Sequence, residues 1–112
     1  MSRILVIDQF RDSADSLVQC LSLYGHQSTA VHDPHQALDI ARSVLPNAIV
    51  VDVDSFPGDG AEFCQQLRGE PWGQYATIVA MTTTKLPPEL WMDIDHQLMK
   101  PVDPVRLAEL LA

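Results

Sequence analysis

Residues 46–60 read PNAIVVDVDSFPGDG. The aliphatic block Ala48, Ile49, Val50 and Val51 shows no polar alternation, so it reads as a strand covered on both faces. That block ends on two aspartates one residue apart, Asp52 and Asp54, followed by a turn rich in Pro and Gly. A covered strand that delivers acids to its carboxyl end needs neighbours that explain them, and the rest of the chain supplies them.

Working outward, ATIVAMT at 76–82 is a second fully apolar strand, and RILVID at 3–8 is a third aliphatic block of strand length. Between them lie helical patterns. In DSADSLVQCLSLYG, Ala14, Leu17, Val18 and Leu21 recur at the spacing of one helical face, with Asp12 or Ser13 to cap the start and Gly25 to end it. HQSTAVH at 26–32 has the polar and apolar mix of an edge strand. Asp33 and Pro34 form a cap and first-turn pair for a helix through about Val44, with Ala37, Leu38, Ala41, Val44 and Leu45 facing inward. Asp59 is expected to cap a helix carrying Phe63, Cys64 and Leu67.

The stretch KLPPELWMDID is less regular and offers at most a short helix after its two prolines. It is followed by HQLMK, and Asp103 and Pro104 then start a last helix with Val105, Leu107, Ala108, Leu110 and Leu111. Unalternating strands separated by single helices predict an α/β fold, a doubly wound sheet of five parallel strands in a three-layer sandwich, with about five helices.

Bulk properties bound the function. A chain of 112 residues with 46% hydrophobic content is the size of one domain with its own core, here spanning 1–112. The net charge of −8, with no basic patch, argues against direct nucleic-acid binding. No apolar run reaches the roughly 18–20 residues that cross a bilayer, and Asp8 interrupts the early apolar run, so neither a membrane span nor a signal peptide is expected. Cys20 and Cys64 fall in helical patterns away from metal spacing and suit reduced thiols in a cytoplasm. The four histidines share no spacing that gathers a zinc site. Helical periodicity persists to the last residues, so a parent chain could continue past Ala112.

In such sheets the reaction site lies at the carboxyl ends of the strands. Asp8 ends the first strand, Asp52 the third with Asp54 beyond it, Thr82 the fourth and Lys100 the fifth. Clustered carboxylates without nearby His or Cys favour Mg²⁺, which takes one or two carboxylates and keeps several waters. A lysine and a hydroxyl facing them suit phosphoryl oxygens, and an ionised Asp can act as a nucleophile, so the chemistry suggested is phosphoryl transfer to an aspartate. Blander roles exist for each group: a helix cap for Asp8, a backbone partner for Thr82 within the run 82–84, a surface position for Lys100.

RILVID with its following helix, PNAIVVDVDSFPGDG, IVAMT and LMKPVDP together resemble the receiver domains of two-component response regulators over nearly the whole chain. The resemblance implies the strand order 2-1-3-4-5. It also implies that Asp52 is the phosphoacceptor, Asp8 one member of an acidic metal-binding pair, Thr82 the hydroxyl that follows the phosphoryl group, and Lys100, before Pro101, the phosphoryl-binding lysine. A histidine kinase or phosphotransfer protein is the implied donor, an output domain or protein the implied target, and homodimerisation is open. Where the family usually has a second acid this chain has Gln9, so Mg²⁺ affinity is expected to be weakened. Asp54 stands where the family usually offers a backbone carbonyl, and its carboxylate is expected to restore part of the missing charge.

Other departures concern output. Phe56 replaces a usual proline, with Pro57 one place late; the interval from Thr82 to Lys100 is shorter than usual; and Gln97 replaces an aromatic that moves with the Thr in many receivers. Trp91 and Met92 read equally well as core or as an exposed patch. Gln9 and Gln97 favour an alternative, a degenerate receiver that binds a partner without efficient phosphorylation. A third reading rests on the D-x-D of Asp52 and Asp54, which also opens haloacid-dehalogenase-type phosphatases. There the motif sits on an early strand, and 112 residues leave no room for a cap domain. A flavin site is weaker still, since QFRDSADS lacks the small residues that cradle a phosphate.

Overall fold

The structure is a computed structural model that describes residues 3–56, 60–86 and 88–111. Five strands, β1 (Arg3–Ile7), β2 (Gln27–Val31), β3 (Ala48–Asp52), β4 (Thr77–Thr82) and β5 (His96–Met99), form one parallel sheet in the order β2-β1-β3-β4-β5. The described residues hold four α-helices: α1 (Arg11–Leu23), α2 (Ala37–Val44), α3 (Gly60–Gly69) and α4 (Pro104–Leu110).

The unbroken apolar strands are what a sheet covered on both faces demands. Ile4, Val6, Val50, Val79 and Met81 point to one side, where Ala14, Leu17 and Leu21 of α1 meet Leu107 and Ala108 of α4. Leu5, Ile7, Ile49, Val51 and Ile78 point to the other, against Ala37 and Ala41 of α2 and Phe63, Cys64 and Leu67 of α3. Neighbouring residues on a strand therefore serve opposite cores. Each fully buried aliphatic side chain contributes about 1.5–3 kcal/mol of transfer free energy.

Local signals account for most boundaries. Gly25 takes φ 85° just past α1, a left-handed position that glycine adopts without a Cβ penalty, and its N–H donates to the Ser22 carbonyl. The Asp103 side chain caps α4 by accepting from the Val105 N–H at 3.0 Å, with Pro104 in the first turn. Asp33 does the same for the His35 N–H, although the turn it starts, Pro34–Gln36, is 3₁₀ and becomes α-helical only at Ala37.

Two expectations need correction. Neither Asp12 nor Ser13 caps α1: its N-cap is Phe10, with no side-chain cap, because the Asp8 carboxylate holds the Phe10 N–H at 2.9 Å and the helix starts at Arg11. Leu45 does not face inward. It ends α2 at φ 54° with its side chain 45% exposed, since Pro46 cannot continue the helix and the chain turns there. Between β4 and β5 the expected short helix is a 3₁₀ stretch, Pro88–Asp93. Arg68 of α3 ties that stretch down: it donates to the carbonyls of Asp93, Gly73 and Ala76, and meets Asp95 Oδ2 at 2.7 Å. The expected Asp59 cap, the path of Pro57 and the side chain of Trp91 lie outside the described residues; Met92 is exposed.

Candidate functional site

Parallel strands in register bring their carboxyl ends to one edge of the sheet. Asp52 pairs with Met81 across β3 and β4, and Thr82 with Met99 across β4 and β5, so Asp8, Asp52, Thr82 and Lys100 arrive on the same edge. Asp8, Asp52 and Thr82 are at most 1% exposed.

Asp52 is the centre. Its Oδ1 lies 2.6 Å from Lys100 Nζ and accepts from the Asp54 N–H at 3.2 Å, while its Oδ2 accepts from the Ser55 hydroxyl at 2.8 Å. The Asp54 contact is a plain capping bond for the 3₁₀ turn Val53–Ser55. A fully covered carboxylate facing an ammonium is more than a cap. Taking both charges out of water costs several kcal/mol, and a pair of this kind persists only where hydrogen bonds satisfy the remaining lone pairs. Burial works against the Lys100 charge, but hydrogen bonds and attraction from Asp52, then Asp54, outweigh it and hold its pKa above the ordinary lysine value.

Asp8 lies beside this pair. Burial, seconded by the negative charge of Asp52, pushes its carboxyl pKa up, against the opposing hydrogen bonds from the Phe10 N–H and the Ser13 hydroxyl. Two adjacent covered carboxylates, with the pKa of Asp8 raised, are an all-oxygen donor set that a hard cation would relieve, and Mg²⁺ needs only one or two of them. The donor chemistry of Asp8 and Asp52 thus fits Mg²⁺. Among the described residues no three His, Cys, Asp or Glu side chains gather at a point able to hold a metal.

Asp54 is placed elsewhere: its Oδ2 faces Lys100 Nζ at 3.2 Å and accepts from the Thr83 N–H at 3.1 Å. The Thr82 hydroxyl donates to the Thr84 carbonyl at 2.7 Å and accepts from the Thr84 N–H. Gln9 is exposed, and its N–H donates to Ser55 Oγ at 3.0 Å. Gln97 Oε1 accepts from the Leu86 N–H at 3.4 Å. A cleft of about 500 Å³ lined by Gln9, His32, Asp33, Asp54, Ser55 and Phe56 opens beside the acids.

Sequence reasoning passed over Ser55. It is 5% exposed and joins Asp52 to the loop after β1, and the signal available was its place three residues beyond Asp52, one turn of 3₁₀ helix. The Phe10 ring, 5.8 Å from Lys100 Nζ, was passed over too.

A family model described as the response regulator receiver domain matches residues 4–112. The chain belongs to that family. Response regulator MprA of Mycobacterium tuberculosis (strain ATCC 25618 / H37Rv) is 45% identical over 67 residues, 60% of this chain and 29% of that protein. Protein RcaC of Microchaete diplosiphon is 29% identical over 111 residues, 96% of this chain and 17% of that protein. The chain thus spans under a third of the length of these curated relatives. A CheY-like receiver domain from Methylobacillus flagellatus has the same fold, with a TM-score of 0.89 at 24% identity, covering 99% of this chain and 96% of that one. Chemotaxis response regulator CheY4 of Vibrio cholerae gives a TM-score of 0.86 at 23% identity over 99% and 96%. The receiver is a module of two-component signal transduction.

Proposed function

We propose that this receiver accepts a phosphoryl group on Asp52 from a phosphohistidine of a histidine kinase or phosphotransfer protein. The observation that carries the reading is the covered Asp52 carboxylate with Lys100 Nζ at 2.6 Å. A carboxylate oxygen of Asp52 attacks phosphorus; the P–O bond forms as the P–N bond breaks, and the departing imidazole takes a proton from water. Ser55 and the Asp54 N–H fix the plane of the nucleophile, and Lys100 neutralises charge on the transferred group. Asp8 and Asp52 would hold Mg²⁺, with the Gln9 amide beside them, and the ion would supply neutralisation of the phosphoryl oxygens. Thr82 would serve only after its hydroxyl leaves the Thr84 backbone. The domain is a phosphoacceptor rather than a turnover enzyme, at most promoting its own phosphorylation, and works in the cytoplasm beside its kinase.

Incubation with acetyl phosphate and Mg²⁺ followed by intact-mass spectrometry tests this. Wild type should gain one phosphoryl group and Asp52→Asn none; no gain in wild type overturns the reading. A second reading, a partner-binding receiver without efficient phosphorylation, draws on the Thr82 hydroxyl spent on its own loop and on Gln97 holding Leu86 where many receivers carry a mobile aromatic. Unphosphorylated wild type that binds its output partner as tightly as the acetyl phosphate-treated protein would favour it.

A further inference from the structure

Two donors beside Asp52 converge on one oxygen that is not its own. Lys100 Nζ at 3.2 Å and the Thr83 N–H at 3.1 Å both point to Asp54 Oδ2, and the same ammonium lies 2.6 Å from Asp52 Oδ1. An ammonium and a backbone N–H aimed together at a single oxygen make a seat for an oxyanion. The seat is one ammonium away from the proposed phosphoacceptor, so an oxygen of a group attached to Asp52 would call on the same donors. The Asp54 side chain is 33% exposed, and its Oδ2 is held by both donors.

We propose that Asp54 is a self-supplied occupant of this oxyanion seat and a positioning residue for phosphoryl transfer, one that must swing out before the incoming anion can take the Lys100 and Thr83 donors. The inference rests on the reading of Asp52 as the phosphoacceptor. Two consequences belong to it. Asp54 competes with the phosphoryl oxygens by occupancy and by like charge, so loading is opposed. It also fixes the loop after β4 in the unphosphorylated protein, because the Thr83 N–H already has an anionic partner. The exchange of one carboxylate for one phosphoryl oxygen would leave that N–H hydrogen-bonded throughout.

The test is a titration of beryllofluoride in the presence of Mg²⁺, a tetrahedral stand-in for a phosphoryl group on a carboxylate. Amide NMR spectra of wild type, Asp54→Asn, Asp54→Ala and Asp52→Asn would follow it and report folding in the same experiment. Removing a charge-assisted competitor should tighten binding in Asp54→Ala by at least about tenfold over wild type, with Asp54→Asn between them. In the free proteins, the Thr83 amide proton should move upfield on Asp54→Ala, and beryllofluoride should return it downfield. Equal or weaker binding by Asp54→Ala, with binding abolished by Asp52→Asn, overturns the occupancy role while leaving the phosphoacceptor in place, as does a Thr83 amide indifferent to Asp54→Ala. Silence in all four proteins overturns the phosphoacceptor reading and this inference together.

Discussion

Asp8 carries a cost that a single atom change removes. Its folded pKa is raised, so between the ordinary Asp value of 3.8 and that raised value the folded protein binds more protons than the unfolded chain. Stability from this group therefore falls as pH rises through that window, and the penalty is complete only above the raised value. Asp8→Asn keeps an acceptor for the Phe10 N–H and should raise the denaturation midpoint at pH 7 without divalent cations, the gain fading toward about pH 4. A lower midpoint at pH 7 would contradict the assignment. Ser55→Ala should have the opposite sign: it strips partners from a covered carboxylate oxygen and from the Gln9 N–H, a loss of about 2 kcal/mol in urea unfolding. The sequence showed which strand ends bear acids, Thr and Lys, because a parallel sheet sends all carboxyl ends to one edge. It could not show that Asp54 turns to Lys100 and Thr83, or that Ser55 bridges two loops, because spacing fixes neighbourhoods and not which oxygen meets which donor.

At the scale of elements, the apolar blocks were legible as strands and the caps at Asp33 and Asp103 as helix starts, since each depends on residues a few positions apart. What escaped was decided by more distant partners. The start of α1 follows a hydrogen bond from the preceding loop to Asp8, and the segment before β5 is shaped by the Arg68 guanidinium, which reaches it from α3. That same guanidinium binds the Gly73 carbonyl, and a Cβ at Gly73 would run into the Leu67 carbonyl, so the turn after α3 has room only for glycine. Leu45 offers the cleanest test. A γ-branched residue holds a left-handed φ of 54° while nearly half its surface is in solvent, so Leu45→Gly relieves backbone strain and gives up little packing. The variant should be more stable by about 0.5–1 kcal/mol with an unchanged denaturant slope. A loss of stability would mean that the exposed leucine packs more than its surface area implies.

Over the whole molecule, the sheet divides one chain into two cores, and the reactive groups sit at the edge where neither core reaches. This layered arrangement persists through wide sequence change: identities of 23–24% accompany TM-scores of 0.86–0.89. It also sets the field that any visitor meets. Among the described residues, Asp8, Asp52 and Asp54 gather near Lys100 at that edge, on a chain of net charge −8, and on the proposed function a donor would arrive with a phosphoryl anion of its own. On the proposed function, a phosphohistidine donor would have to bring arginine or lysine around its histidine to be drawn in rather than turned away. Docking of such a partner should be steered over long range and should slow as added salt shrinks the Debye length below its ~8 Å at 0.15 M ionic strength. Stopped-flow association rates that stay flat across a salt series would show that shape alone brings the two proteins together.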